Sequence, residues 1–288
     1  MLPLSDAMPV FWRLWASTEG QPAKRVRAFK EEIVMPNLAV YADGEFGHDL
    51  LDDATIGAYL ERLEPIVPQM RTVSRRLAQQ LPPIIDAFQK SLPDFKTDNI
   101  VIYMLPSFFH FNAQTHDIGK KIGLLLGIDG IVRFDGVDAN VGVDVSHELF
   151  HLYQFQMQPN LNRNTTKLWQ AVWVEGSATY ASQVLTPGAT EAEALMSPAL
   201  SNTDPTTVSA LACAISAKWD SQEGGDMELF LDGGKHPANL PPRGGYLIGY
   251  LVASDLGKTY SLAQTGKLTG VELEGLIRPR VQALCKTS

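Results

Sequence analysis

The chain is 288 residues long, 45% hydrophobic and 19% charged, which describes a globular protein of one large domain or two modest ones. A net charge of -8 and a pI near 5.3 argue against nucleic acid as the main partner. No apolar run approaches the ~20 residues that span a bilayer. The opening MLPLSDAMPV lacks the basic start of a secretory signal, so the sequence as it stands reads as cytoplasmic, or as periplasmic or secreted if it is a trimmed mature chain.

Residues 8 to 42 mix aromatic and basic side chains, and apolar residues from Val26 to Val40 recur at helical spacing. Trp12 and Trp15, at i and i+3, share a helical face and are expected to anchor it by packing, with a role against substrate as the alternative. Met35-Pro36 is expected to break or restart that helix. Residues 52 to 93 read as two or three helices, with Asp52 or Asp53 as N-cap, boundaries at Pro65 and Pro68, and Arg71, Arg75, Arg76 and Lys90 on a solvated face. Residues 1 to 95 are therefore expected to form a helical region packed on the rest. No repeat or low-complexity segment interrupts it.

The character then changes. Asn99 to Leu105 is short, β-branched and stopped by Pro106, so it reads as a strand. Gly119 to Leu126 and Gly130 to Phe134 read as further strands, joined by Gly127-Ile128-Asp129-Gly130. Between them, Ser107 to Asp117 reads as an aromatic loop carrying Phe108, Phe109, His110, Phe111 and His116. Either histidine is expected to be ordinarily hydrogen-bonded, contact with substrate or metal being the alternative.

The next helix carries the strongest signal. In Val143 to Gln156 the polar residues His147, Glu148 and His151 stand among Val143, Val145, Leu149, Phe150, Leu152, Tyr153 and Phe155. A helix apolar nearly all round is a core helix, and ionisable groups inside it are costly without compensation. Positions i and i+4 share a face, so His147 and His151 can offer two imidazole nitrogens to one metal ion, with Glu148 beside it as general base. A catalytic zinc site needs a third protein ligand and an open position. After the turn-rich stretch 158 to 164, the apolar helical run Lys167 to Leu185 carries one acid, Glu175, 24 positions beyond His151. Small Gly176 and Ala178 would let this helix approach the histidine helix closely. The other reading is of core histidines and a core acid, but no Lys or Arg lies between Trp169 and Leu185 to pair with Glu175.

Farther on, Thr206 to Ala217 reads as a helix containing Cys213. Gly224-Gly225 and Asp232 to Lys235 are turn signals, and Asn239 to Pro242 an extended connection. Tyr246 to Leu256 and Leu273 to Leu284 read as helices. Cys213 and Cys285, the only cysteines, sit in no metal pattern. They could form one disulfide in an exported protein, but two unpaired buried thiols are the expectation.

His147-Glu148-x-x-His151 followed by Trp173-x-Glu175-Gly176-x-Ala178-x-Tyr180 resembles the gluzincin metallopeptidases, the thermolysin and aminopeptidase-like superfamily. The closest likeness is to bacterial families described only as predicted zinc-dependent proteases, which the stretch Arg243 to Tyr250 also resembles. The likeness covers residues 98 to 185, more loosely to about 255, and not 1 to 95. It implies a zincin-like fold: α+β, mainly α-helical, with a small mixed sheet preceding the H-E-x-x-H helix and added N- and C-terminal helices. The catalytic domain would run 96–288, with its sheet in 98–135, zinc helices in 138–185 and C-terminal helices in 204–285, possibly continuous with the first region. The resemblance places an edge strand for extended substrate at Leu124 to Ile128. It implies Zn2+ on His147, His151 and Glu175, Glu148 as base, Tyr246 as the oxyanion donor and Arg243 as its helper or a carboxylate binder, the other reading being that Tyr246 and Tyr250 pack in the core and Arg243 caps a surface. Substrates would be peptides or proteins.

Two departures stand out. The His-to-Glu spacing is longer than in thermolysin, and Thr179 occupies the place of an acid that often holds a zinc histidine. Asp144 or a backbone carbonyl could substitute in that role, the other reading of Asp144 being a first-turn acid favoured by the helix dipole. No acidic glycine-rich aminopeptidase motif precedes the zinc helix, which favours endopeptidase action. A metal-binding protein without turnover, or a hydrolase of another amide or ester, are the alternatives.

Overall fold

The computed structural model describes residues 2–41, 52–158, 167–233 and 240–286. Residues 159 to 164 of the turn-rich stretch 158 to 164, residues 234 and 235 of the second turn signal, and residue 239 of the expected connection lie outside these described residues. The chain is of mixed α/β class and mainly helical, with one small four-stranded sheet. In chain order the elements are β1 Leu4–Asp6, α1 Met8–Ser17, α2 Pro22–Phe29, α3 Leu38–Tyr41, α4 Asp53–Leu63, α5 Val67–Ser91, β2 Ile100–Leu105, β3 Ala113–Ile118, β4 Lys121–Gly127, α6 Ile128–Phe134, α7 Val141–Met157 and α8 Leu168–Leu185. Then follow α9 Glu191–Ala194, α10 Pro198–Ser201, α11 Pro205–Ala217, α12 Gly224–Leu231, α13 Gly244–Leu256, α14 Leu262–Thr265 and α15 Gly270–Cys285. Among the described residues no helix is long and apolar enough to cross a membrane.

Two compact units emerge: Met1–Ile85 with Thr97–Val141, and Asp86–Lys96 with Gly142–Ser288. The first holds the sheet, in order β1-β2-β4-β3, with β1, β2 and β4 parallel and β3 antiparallel to β4. The expected edge at Leu124 to Ile128 is thereby corrected. Leu124 to Gly127 belong to an interior strand hydrogen-bonded on both sides, and Ile128 already opens α6. β3 takes the edge instead, formed from residues expected to be loop. Its polar Gln114 and Asp117 suit a rim position, where β-propensity is a poor guide.

Gly130 to Phe134, expected as a strand, is the body of α6. A short apolar run does not separate strand from helix by periodicity. Packing decides it. Asp129, in the first turn of α6 and fully buried, accepts backbone N–H bonds from Ser107 and from Phe109 at 2.7 Å, and a hydroxyl bond from Tyr59 at 2.9 Å. A side chain at Gly130 would fall 1.7 Å from the Phe111 carbonyl oxygen, so only glycine permits this approach. Phe108 and Phe109 both adopt positive φ, at 55° and 61°. Such backbone costs about 1 kcal/mol or more per residue. The Asp129 carboxylate and the stacking of Phe108 on Tyr59, 4.2 Å between centroids, hold it there. The aromatic stretch is thus largely core. Trp12 and Trp15 pack as expected, each under a guanidinium, Arg71 at 4.5 Å and Arg25 at 4.0 Å.

Asp52 caps α4, accepting the Thr55 N–H at 2.9 Å. At Met35-Pro36 the helix passes through a π turn and a 3-10 turn before α3. Pro82 and Pro83, by contrast, lie within the continuous α5.

The core of the second unit is built by α8, α11, α12, α13 and α15, around residues such as Trp173, Leu211, Phe230, Ile248 and Ile277. Each such buried aliphatic side chain is worth ~1.5–3 kcal/mol. Gly176 opens a close approach, but to α13 and not to α7 as the sequence suggested. A Cβ at Gly176 would meet the Gly249 carbonyl carbon at 2.1 Å, and one at Gly249 would meet the Val172 carbonyl oxygen at 2.1 Å. Paired glycines let the two backbones touch, and this sets the register that matters for the site. Cys213 and Cys285 are also corrected: they form a disulfide, Cα–Cα 4.7 Å, tying α11 to α15.

Candidate metal centre

The site lies within the second unit. From Val141 to Gln154 every residue of α7 is buried except Glu148, which is half-buried. His147 and His151, one turn apart, turn their rings to a common point, with Nε2 atoms 2.9 Å apart. Glu175 of α8 brings its Oε2 to 3.4 Å from His147 Nε2 and 3.3 Å from His151 Nε2. The glycine contact places α13 against the same part of α8. Tyr246, one turn before Gly249, therefore meets the cluster, its ring stacked with His147 at 6.4 Å. Arg243 lays its guanidinium over the Tyr246 ring at 4.1 Å. The sequence-expected residues His147, Glu148, His151, Glu175, Tyr246 and Arg243 are all in this neighbourhood.

Three shifted groups define the electrostatics of the cluster. Burial pushes the His147 imidazole toward its neutral form, and the neighbouring His151 adds to this. Burial also pushes the Glu175 carboxyl up, but positive charge at His151 and hydrogen bonds from both imidazoles outweigh it and hold the carboxyl well below the usual range. Glu175 is thus set to face positive charge at the point where the rings meet. The Tyr246 hydroxyl is held protonated, first by burial and then by the Glu175 carboxylate, with Arg243 opposing.

His151 Nδ1 lies 3.3 Å from Gln154 Oε1, an acceptor. The Gln154 amide is fixed in that sense, because its Nε2 donates to Ser177 Oγ at 2.8 Å and Ser177 donates to the Trp173 carbonyl at 2.6 Å. His151 therefore donates its Nδ1 proton to Gln154, which leaves Nε2 as the atom that would ligate a metal. The Glu175 carboxylate, 3.3 Å from that Nε2, is set to meet a cation at the point where the rings converge.

A metal ion fits that requirement. Ligand atoms at ~2.0–2.1 Å from a tetrahedral ion stand about 3.3 Å from one another, and the three separations here are 2.9, 3.3 and 3.4 Å. His147, His151 and Glu175 are the one group of metal-binding side chains found among the described residues.

Gln154 and Ser177 are site residues that sequence reasoning missed. The available signal was a glutamine three positions past His151 inside a core helix. The expected substitutes do not perform this task. His147 Nδ1 is buried without a hydrogen-bond partner among the described residues, so neither Asp144 nor a described carbonyl holds it. Thr179 donates to the Glu175 carbonyl of its own helix at 2.8 Å.

Comparison with family models, with curated proteins and with solved structures finds no match to this chain.

Proposed function

We propose that this chain is a zinc-dependent peptidase of the zincin-like, gluzincin type. The observation that carries the reading is the convergence of His147 Nε2, His151 Nε2 and Glu175 Oε2 at tetrahedral ligand spacing. Two imidazoles and one carboxylate suit zinc better than calcium or magnesium, which prefer all-oxygen shells. Bound there, zinc would lower the pKa of a water toward ~7 and polarise a substrate carbonyl.

The chain's own residues would supply the remainder. Glu148, the one residue from Val141 to Gln154 that is not buried, would accept the proton of the attacking water and return it to the leaving amine. Tyr246, kept protonated, would donate its hydroxyl to the developing oxyanion. Gln154 would hold His151 in the ligating tautomer. The Cys213–Cys285 bridge favours an oxidising compartment as the place of work.

A second reading, a metal-binding module without turnover, draws on one observation: His147 Nδ1 has no orienting partner among the described residues. One experiment separates the two. Wild type and Glu148→Gln should each hold about one zinc per chain, and only wild type should cleave a mixed peptide library. Zinc in both with cleavage by neither would favour the second reading, and no zinc in either would end both.

A further inference from the structure

We propose that Arg62, Phe109, Arg133 and Phe134 form a docking surface for an acidic segment of a partner protein. The surface lies within the first unit, and the assignment does not rest on the peptidase reading.

Its foundation is the turn that Asp129 holds. Phe109 keeps a left-handed backbone, φ 61°, with its N–H bonded to the buried Asp129 carboxylate at 2.7 Å. The turn leaves the Phe109 ring half-buried. Two guanidiniums lie over this one ring, Arg62 at 4.7 Å and Arg133 at 5.2 Å from its centroid. Arg62 stands in the last turn of α4 and Arg133 in the last turn of α6, where the helix dipole favours a cation. Beside them Phe134 is 52% exposed, and Arg133 also reaches over its ring, at 5.6 Å. A ring held by strained backbone thus gathers two positive charges next to an apolar surface.

The chemistry of the patch selects its partner. Both arginines are exposed, and neither forms an ion pair or a side-chain hydrogen bond among the described residues. A guanidinium resting on a ring uses its face and leaves its N–H rim to pair with carboxylates. Two such rims on one ring make a receptor for two carboxylates whose side chains are already ordered, which lowers the cost of binding. Arginine and aromatic side chains are also those that dominate the energetics of protein interfaces. A dense polyanion fits less well, because Glu61, Glu64 and Asp135 stand within two residues of these arginines and the chain carries a net charge of -8. A protein segment with two carboxylates near an apolar side chain matches the charge, the fork geometry and the exposed ring together.

The test selects random dodecapeptides displayed on phage against the immobilised full chain. Wild type should enrich peptides that carry two or more Asp or Glu beside an aliphatic or aromatic residue. Recovered peptides, synthesised and titrated by fluorescence anisotropy, should bind Arg62→Gln/Arg133→Gln about tenfold to a hundredfold more weakly, the range that a charged hydrogen bond commands. Against wild type, the same peptides with Asn and Gln in place of their acids should lose a similar factor, a result that does not depend on how the variant folds. Phe134→Ser should cost a smaller factor and keep the acidic preference. Arg62→Lys/Arg133→Lys should keep only part of the affinity, since the charge stays and the stacked fork goes. Selected peptides without acidic bias, or acidic peptides that bind the folded double Gln variant as tightly as wild type, would overturn the assignment. So would binding to phosphatidylserine vesicles or duplex DNA, or self-association of the chain, that the double substitution abolishes while no acidic peptide is selected. Neither zinc nor cleavage enters the readout, so the metal site stands or falls separately.

Discussion

Asp129 and Glu175 are both acids set into helices of largely apolar surroundings, and the difference between them separates a strut from a ligand. Asp129 accepts two backbone N–H groups and the Tyr59 hydroxyl, all neutral donors belonging to the chain. Burial raises its carboxyl pKa and those bonds only partly offset the rise. Its capacity is spent on holding a left-handed turn at Phe108 and Phe109. Glu175 faces two imidazole nitrogens, its side chain is 26% exposed, and its pKa is driven down. An acid saturated by neutral donors completes a fold, whereas an acid held ionised where two imidazoles converge is set to meet a cation.

The largest effects come from exchanging the two acids' fates. Glu175→Ala should lose essentially all bound zinc, measured by elemental analysis, while circular dichroism and cooperative unfolding persist. Asp129→Ala should do the reverse. It strands two buried N–H groups and a hydroxyl, each worth ~1–3 kcal/mol when unsatisfied, so about 3–5 kcal/mol of stability should go. The fraction still folded should keep its zinc. If Asp129→Ala loses zinc from well-folded protein, or Glu175→Ala keeps it, the distinction fails. Next in size is the bridge that ties α15 to α11. Closing a loop between residues 72 apart should contribute about 4 kcal/mol, seen as a lower denaturation midpoint on reduction or in Cys213→Ser. Zinc content of the folded protein should not change, because neither sulfur is among the converging donors.

What could be read from the sequence follows the range of the interactions. The H-E-x-x-H helix was legible because polar residues stood out against an apolar background at a spacing that only a helix makes meaningful. Glu175 was legible because it was the lone acid in its run. Tyr246 and Arg243 came from a resemblance, and α13 does bring them to the cluster. Gln154 was missed within its own helix, and the misses in the fold are long-range. Nothing local in Gly176 says whether its open side faces α7 or α13, and its partner Gly249 lies 73 positions on. Whether β4 is edge or interior depends on β3, whose polar residues hide a strand. Asp129 turns a strand-like apolar run into α6 through hydrogen bonds to a segment 20 and 22 residues earlier. The cysteines offered no motif, because a single disulfide is a fact of tertiary proximity.

Gln154 gives the smallest of these effects and the finest test of the site. It touches no metal donor except through His151 Nδ1, and it is itself oriented by Ser177. If the site exists to hold an ion, fixing the tautomer of His151 raises the share of molecules whose Nε2 is ready to ligate. Such outer partners are worth about 10- to 100-fold in metal affinity. Gln154→Leu, close in volume, should weaken zinc by that factor in competition with a chromophoric chelator. Ser177→Ala should cost less, since it loosens Gln154 without removing it. The order of the two losses is the discriminating result. A mere packing role for Gln154 predicts lowered stability for both variants with zinc affinity unchanged. A loss for Ser177→Ala as large as that for Gln154→Leu would mean that Ser177 acts on the site by a route other than the glutamine.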